Sequence, residues 1–429
     1  MFKSKKGYYV IAILLMLCLF VASQGFASIN SAEVQKVREV EGLKTANAKA
    51  FELSNGQLQY DIYASDIHYL DESKEYQDIV LDIRDVSDSK KNEGYRYKNG
   101  SNSWDVYFAD DGKVNLVLDV YEITFYPVGG NKSPAEKTAQ LGVANKAALF
   151  SDYIQDKAAI AYQNMNDNID YIYQVRGSYL KESIVLNSIP KSNEFTFSLQ
   201  LKGLVPNNKD GYHYFCDESS KEAVFDLDGL FIEDAEGRSS DNIKANIEPD
   251  SKGGYILTIV VDKEFLNAKD TVYPVIVDPT FTISGASVTK DSYISSTNPN
   301  TNYYLNTKLR TGRDEDYYYG KRRTYIDFVL PSSINSSSNI TSASLKIKLS
   351  SSEGTLHTQS YRAMGSWTSS GITWNNAPSY GGAVHNATVS SGWHVMDVKT
   401  VLEYWVEQGN PQYGFVIRDS TESSINIWG

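Results

Sequence analysis

The chain has 429 residues, 41% of them hydrophobic and 22% charged, which excludes wholesale disorder and leaves room for two or three folded units at roughly 150 residues each. Its formal net charge of −12 argues against a nucleic-acid binder acting over its whole surface, because the phosphate backbone would be repelled. Tyrosine is abundant at 31 and proline scarce at 11, and tyrosine mixed with Ser, Thr and Asn favours strands over helices.

Lys3, Lys5 and Lys6 precede an apolar run from Val10 to Ala22, and Gly25-Phe26-Ala27 places small residues at −3 and −1 of a cleavage site. Residues 1–27 therefore read as a secretory signal peptide. The run falls short of the roughly 20 residues that span a bilayer, and Cys18 follows Leu17, not the small residue that lipid attachment wants. Cleavage leaves Cys216 as the only cysteine, which rules out an internal disulfide and a Cys-based zinc site. Within Tyr212-His213-Tyr214-Phe215-Cys216, a strand-like run, that thiol reads as a small buried hydrophobe. The expected location is outside the cell, secreted or wall-associated, with no membrane span after cleavage and no wall-sorting tail at Ile427-Trp428-Gly429.

Residues 28–49 are charged and weakly amphipathic, and read as a short helix or a mobile lead. From 50 to 280 an acidic region alternates strand-like runs, such as Leu58 to Tyr63, Ile79 to Ile83, Val114 to Leu118, Phe195 to Leu201 and Tyr255 to Val261, with hairpin dipeptides such as Asn55-Gly56, Asp111-Gly112 and Gly253-Gly254. This predicts a β-sandwich or two packed sandwich-like lobes. Tyr273-Pro274-Val275-Ile276-Val277-Asp278-Pro279-Thr280 reads as a last strand ended by an Asp-Pro break. Beyond it the charge is nearly balanced, and five of the six tryptophans, Trp367, Trp374, Trp393, Trp405 and Trp428, cluster. Strands are expected at 292–295, 308–311, 323–329, 342–349, 357–362, 393–398 and 413–417, with one helix near Val398 to Gln408 where Val401, Leu402 and Trp405 recur at helical spacing. The fold class is all-β, an N-terminal β-sandwich-like region followed by a C-terminal jelly-roll β-sandwich over 286–429.

Family features appear in this last region. Asp291-Ser292-Tyr293-Ile294, Asn298-Pro299-Asn300-Thr301-Asn302-Tyr303 and Leu309-Arg310-Thr311-Gly312 are followed by Arg323 to Phe328, Ser366-Trp367-Thr368, Ile372-Thr373-Trp374-Asn375-Asn376-Ala377-Pro378, Trp393, Asp397-Val398 and Asn410 to Phe415. In order and type these resemble the DNRLRE, or disaggregatase-related, family of extracellular modules, which includes carbohydrate-binding modules. The acidic region, through Ile67-His68-Tyr69, Tyr76 to Ile79, Asp170-Tyr171, Lys181-Glu182 and the Tyr-Pro-Val-Ile-Val-Asp-Pro-Thr boundary, is similar to the N-terminal part of secreted wall-associated and RHS-repeat proteins of Gram-positive bacteria.

Sugar recognition needs flat rings to stack on pyranoses and, for an acidic polysaccharide, guanidinium or ammonium groups for its carboxylates. Tyr303, Tyr304, Lys308, Arg310, Arg322, Arg323 and Tyr325 supply this chemistry in one segment, and Arg310 and Arg323 would share a face if 308–311 and 323–328 are neighbouring strands. The plain alternative is a charged hairpin with tyrosines packed on the sheet. Trp367 and Trp374 are further binding candidates, set against core packing, and core packing is the expectation for Trp393 and Trp405. A structural calcium ion, not required for the function, has candidates in Asp291, Asp314, Asp316 and Asp397. No GxSxG, HExxH or phosphate-loop motif is present. The reading is a secreted, non-catalytic protein that binds an extracellular or cell-wall polysaccharide. The alternatives are a surface structural or adhesion protein without sugar affinity, and, third, a polysaccharide lyase or hydrolase.

Overall fold

The computed structural model describes residues 34–131, 133–138, 157–209, 211–236, 238–240, 242–284, 289–304, 309–313, 320–349, 356–389, 392–420 and 422, with a two-residue strand at Leu14–Leu15. The leader and its cleavage site otherwise lie outside them. Among the described residues the protein is all-β, with 51% in strands and 7% in helices. It divides into two compact units. One holds Tyr69–Ala286, and the other joins the segment ending at His68 to Ser287–Gly429.

The first unit is a sandwich of two mainly antiparallel sheets. One runs, edge to edge, Lys244–Pro249, Tyr255–Val260, Glu194–Lys202, Tyr121–Pro127, Val114–Leu118, Asp105–Ala109, Tyr95–Lys98 and Arg84–Asp85. The other runs Glu136–Lys137, Ala159–Asn166, Ile169–Val175, Tyr179–Leu186, Val275–Ile283, Ala223–Glu233, Tyr212–Asp217 and Leu204–Lys209, with Ser239–Ser240 beside Ala223–Glu233. Period-two alternation sends Phe108, Leu116, Phe125 and Phe197 from the first sheet and Tyr173, Ile184, Phe215 and Phe281 from the second into one shared core. Phe125 and Phe281 stack across it with ring centroids 4.8 Å apart. One continuous core makes this a single sandwich, not two lobes. Cys216 is buried in its strand as a free thiol.

The Asp-Pro dipeptide does not end its strand. Val275–Ile283 runs through Asp278-Pro279 between two partner strands, and the ladder to Ala223–Glu233 shifts register between Asp228 and Phe231, beside the proline. Such a shift absorbs the missing N–H. Ile79 to Ile83 is not a strand either; it joins Tyr76–Asp78 to Arg84–Asp85 with single backbone bonds from Val80 to Ser101 and from Ile83 to Lys157.

In the second unit, one sheet runs Thr289–Ser295, Lys321–Phe328, Phe415–Asp419, Leu356–Ala363 and Tyr380–Val389, and Ser344–Leu349 pairs with Gly392–Asp397 in another. Lys399–Leu402 is helical and continues as a wider turn, Glu403–Glu407, that buries Trp405. Of the 28–49 segment expected as a short helix or mobile lead, the described residues from 34 on hold one 3-10 turn at Glu41–Leu43 and otherwise join a sheet. That small sheet consists of Lys36–Glu39, Ala48–Leu53 and Leu58–Ile62. Its inward residues Ala48, Ala50, Tyr60 and Ile62 share a core with Ile326, Leu345, Met396, Trp405 and Phe415. The charges that suggested a solvated lead are spent across strands: Arg38 meets Glu52 at 2.7 Å, and Lys36 lies 3.7 Å from the Phe51 ring centroid. Tertiary burial decides here over local composition.

Candidate functional site

Strand Lys321–Phe328 has two faces. Thr324, Ile326 and Phe328 point toward the apolar core, so Arg323 and Tyr325 point the other way. Register carries that second face across the sheet. Tyr325 pairs with Val416, Val416 with Tyr361, Arg418 with Gln359, and Gln359 with Asn386. The loop between Ala363 and Tyr380 folds over it, and Trp367, Ile372 and Trp374 pack on Ile294, Tyr325 and Val416.

Two of the sequence candidates serve as the floor of this face. Tyr325 is fully buried and donates its hydroxyl to the Pro378 carbonyl at 2.9 Å. Trp367 is buried, donates Nε1–H to the Tyr413 carbonyl at 2.8 Å and meets the Tyr325 ring edge-on with centroids 5.6 Å apart. Burial pushes the Tyr325 phenol up to about 12. Neither ring offers a surface to a ligand, which corrects their assignment as stacking platforms.

Above this floor lies a half-buried cluster. Arg323 forks onto Glu422, with Nε 3.0 Å from Oε1 and Nη2 2.7 Å from Oε2, and its guanidinium sits 4.4 Å from the Trp374 ring centroid and 5.3 Å from that of Tyr380. Arg418 donates to the Tyr380 hydroxyl at 2.6 Å, lies 3.7 Å from Glu422, and is 5.4 Å from the Tyr361 centroid. Gln359 donates to Asn386 at 2.8 Å at the open edge. The guanidinium side chains keep 20% and 18% of their surface exposed, while Glu422 keeps only 5%. Two cations around one carboxylate leave a net positive face with rings, forks and amides together. That is the equipment for stacking on a sugar and pairing with its acidic substituents.

The other candidates are not gathered here. Tyr303 stacks on Tyr293 with centroids 4.2 Å apart, and Arg310 lies 5.8 Å from the same Tyr293 ring. Tyr293 pairs with Thr324, so this trio belongs to the opposite side of the sheet from Arg323, and Arg310 and Arg323 do not share a face. Arg322 alternates to that opposite side as well, between Ser295 and Gly312. Tyr304 is half-buried, its backbone N–H on the Asn302 side chain at 3.2 Å. Lys308 lies outside the described residues.

The asparagine motifs have a structural use. Asn302 donates to the carbonyls of Ser369 and Ile372 at 2.7 and 2.6 Å, Asn375 reaches Asn300 at 2.8 Å, and the Asn375 N–H meets the Pro299 carbonyl at 3.0 Å. These bonds latch two loops together and so hold Trp374 over the sheet. Trp393, expected in the core, is 51% exposed. In Gly392–Asp397 it is Met396 that turns inward, leaving Trp393 outward opposite Lys348.

Among the described residues no three His, Cys, Asp or Glu side chains group to hold a metal ion. Asp314 and Asp316 lie outside those residues. Asp397 is spent on the Lys399 N–H at 3.0 Å, and Asp291, pushed up to about 6 by burial, stands on another sheet. Among the described residues, then, Asp291 and Asp397 are not brought together.

Residues 282–428 match carbohydrate-binding module family 96. Along most of its length the chain is also similar to the tRNA nuclease WapA of Bacillus subtilis (strain 168), 26% identical over 414 residues that make up 89% of this chain and 17% of that protein. The tRNA3(Ser)-specific nuclease WapA of Bacillus spizizenii is 25% identical over 422 residues, 90% of this chain and 17% of the relative. The chain thus spans about one sixth of the length of these curated relatives. No solved structure matches it.

Sequence reasoning missed Arg418, Glu422, Tyr361, Tyr380, Gln359 and Asn386. The available signal was Arg418, a cation directly after the apolar run Phe415-Val416-Ile417, whose period-two position matches Val416 and not the core residues.

Proposed function

We propose that this chain is a secreted, non-catalytic protein whose C-terminal unit binds an acidic extracellular or cell-wall polysaccharide on the Arg323–Arg418–Trp374–Tyr380 face. The observation that carries the reading is the convergence of two guanidinium groups and three half-buried rings on one sheet face, within the segment that matches a carbohydrate-binding module family. Sugar rings stack on Trp374 or Tyr380, and a carboxylate competes with Glu422 for Arg418. The placement outside the cell rests on the leader-like residues 1–27, and the acidic sandwich acts as a spacer. Among the described residues no helix is long and apolar enough to cross a membrane.

A scaffold role without sugar affinity draws support from one fact, that Glu422 already occupies Arg323. A lyase would need a tyrosine that ionises readily, and Tyr325 is shifted the opposite way.

The test is binding of the full chain to neutral and acidic polysaccharides at two salt concentrations, beside Arg418→Ala, Trp374→Ala and Trp393→Ala. Salt-sensitive binding to an acidic glycan that Arg418→Ala and Trp374→Ala weaken at least tenfold, with unchanged circular dichroism, supports the reading. Loss with Trp393→Ala alone moves the site to the other sheet, and silence of the wild type favours the scaffold.

A further inference from the structure

The first unit carries a buried constellation that carbohydrate binding does not use. Tyr179–Leu186, Val275–Ile283 and Ala223–Glu233 are three consecutive strands in the middle of the nine-stranded sheet. Lys181 pairs with Thr280 and Glu233 with Ile276, so Asp278 lies two residues from each partner and on the same face, diagonal to Lys181 on one side and to Glu233 on the other. All three are buried: Lys181 is 4% exposed, Asp278 0% and Glu233 5%. The Lys181 Nζ is in direct contact with the Asp278 Oδ2, and Thr280 Oγ1 donates to the other carboxylate oxygen at 3.2 Å. The neighbouring acid Glu182 alternates to the opposite face, where Tyr173 donates to it at 2.7 Å, and takes no part.

We propose that Lys181 and Asp278 are the partners of a self-formed intramolecular amide crosslink, with Glu233 as the proton carrier. An ammonium and a carboxylate kept out of water carry a desolvation penalty that their attraction does not always repay. The geometry sets the two groups that would react in contact, out of water, on one sheet face. Burial is the leading influence on Asp278 and outweighs Lys181, pushing its carboxyl up to about 6. In the step, the Lys181 Nζ lone pair forms a bond to the Asp278 carboxyl carbon. Glu233 takes the proton that Nζ loses and passes it to the departing hydroxyl, which leaves as water. The balance is one ammonium and one carboxylate in, one amide and one water out, with no change of oxidation state. A neutral amide then replaces two buried charges, and two strands whose linked residues are 97 positions apart in sequence become covalently joined. That brace would act in a sandwich whose described cysteine, Cys216, is a free thiol.

The experiment is the intact mass of the purified full chain, compared with the mass of the sequence between its determined termini. The expected result is a mass lower by one water, and a protease digest containing a branched peptide that joins Lys181 to Asp278. Lys181→Ala and Asp278→Ala are expected to show their full sequence masses. Glu233→Gln, which leaves both partners in place, is expected to remain uncrosslinked. A wild-type mass equal to that of its sequence overturns the crosslink and leaves a buried ion pair. A crosslink retained in Glu233→Gln overturns the role given to that residue. The wild-type measurement decides the main point even if a variant fails to fold.

Discussion

The Arg323 guanidinium lies 4.4 Å from the centroid of the Trp374 ring while forking onto Glu422, so an aromatic ring and an acid bracket one cation. Three distant stretches of the chain meet at that point, and each restrains the others. The arrangement makes Arg323 structural as well as chemical, and this is why Arg418 is the cleaner probe of binding.

Arg323→Ala should therefore destabilise the C-terminal unit. Its removal leaves the nearly buried Glu422 with Arg418 alone, 3.7 Å away. Partial solvent access to Arg323 moderates the penalty to about 1–3 kcal/mol. In urea titrations the Arg323→Ala/Glu422→Ala pair is expected to cost less than the sum of the two single changes. Strict additivity would show that the ion pair contributes nothing.

Gly414 is a second sensitive point. It has φ +82°, and a Cβ there would stand 2.2 Å from the Ile326 carbonyl oxygen of the adjoining strand. Gly414→Ala should lower the melting temperature of the C-terminal unit by several degrees, for a cost of about 1–3 kcal/mol. An unshifted melt would mean that the backbone relaxes without effort.

The segment before residue 69 should matter to the module that follows residue 286. Ile62 is fully buried in the core it shares with Phe415 and Trp405, so Ile62→Ala in the full chain is expected to cost about 2–5 kcal/mol through lost burial and a cavity. Hydrogen exchange should show the loss in Lys321–Phe328 and Phe415–Asp419. Faster exchange confined to residues 34–68 would contradict the shared core.

Glu182 links stability to pH. Burial, reinforced by Asp278 and opposed by the Tyr173 hydrogen bond, pushes its carboxyl up to about 8 from an ordinary 4.5. The folded state thus holds a proton that the unfolded chain releases, and the group's contribution is complete below about pH 4.5 and lost as pH rises toward 8. Thermal melts of the acidic sandwich should fall across that window. Glu182→Gln, which keeps a neutral hydrogen-bonding group, should flatten the decline; an unchanged slope would assign the effect to other groups.

Much of the architecture is legible in the residues. Period-two runs such as Phe195 to Leu201 and Tyr255 to Val261 became strands, and Val401, Leu402 and Trp405 became one buried turn of helix. Local pattern failed where distant partners decide. Lys36 to Glu39 reads as a solvated lead because Glu52 and Phe51 cannot be placed beside it in advance, and Asp278-Pro279 reads as a break because a register shift in another strand is invisible. The binding candidates divide in the same way. Arg323 and Trp374 do meet, but Arg310 and Arg323 diverge because the segment around Arg310 lies over the Thr324 side of the sheet. Arg418 and Tyr361 join the face from strands that no motif links to Arg323.

The core shared by Ile62 and Phe415 also fixes an order of assembly. A ribosome makes Ala48 to Ile62 first, then the whole acidic sandwich, and only afterwards the strands that cover their apolar side. Contacts of such long sequence separation form late and slowly. The small N-terminal sheet must therefore wait, uncovered, until the sandwich has emerged and the last strands return to it.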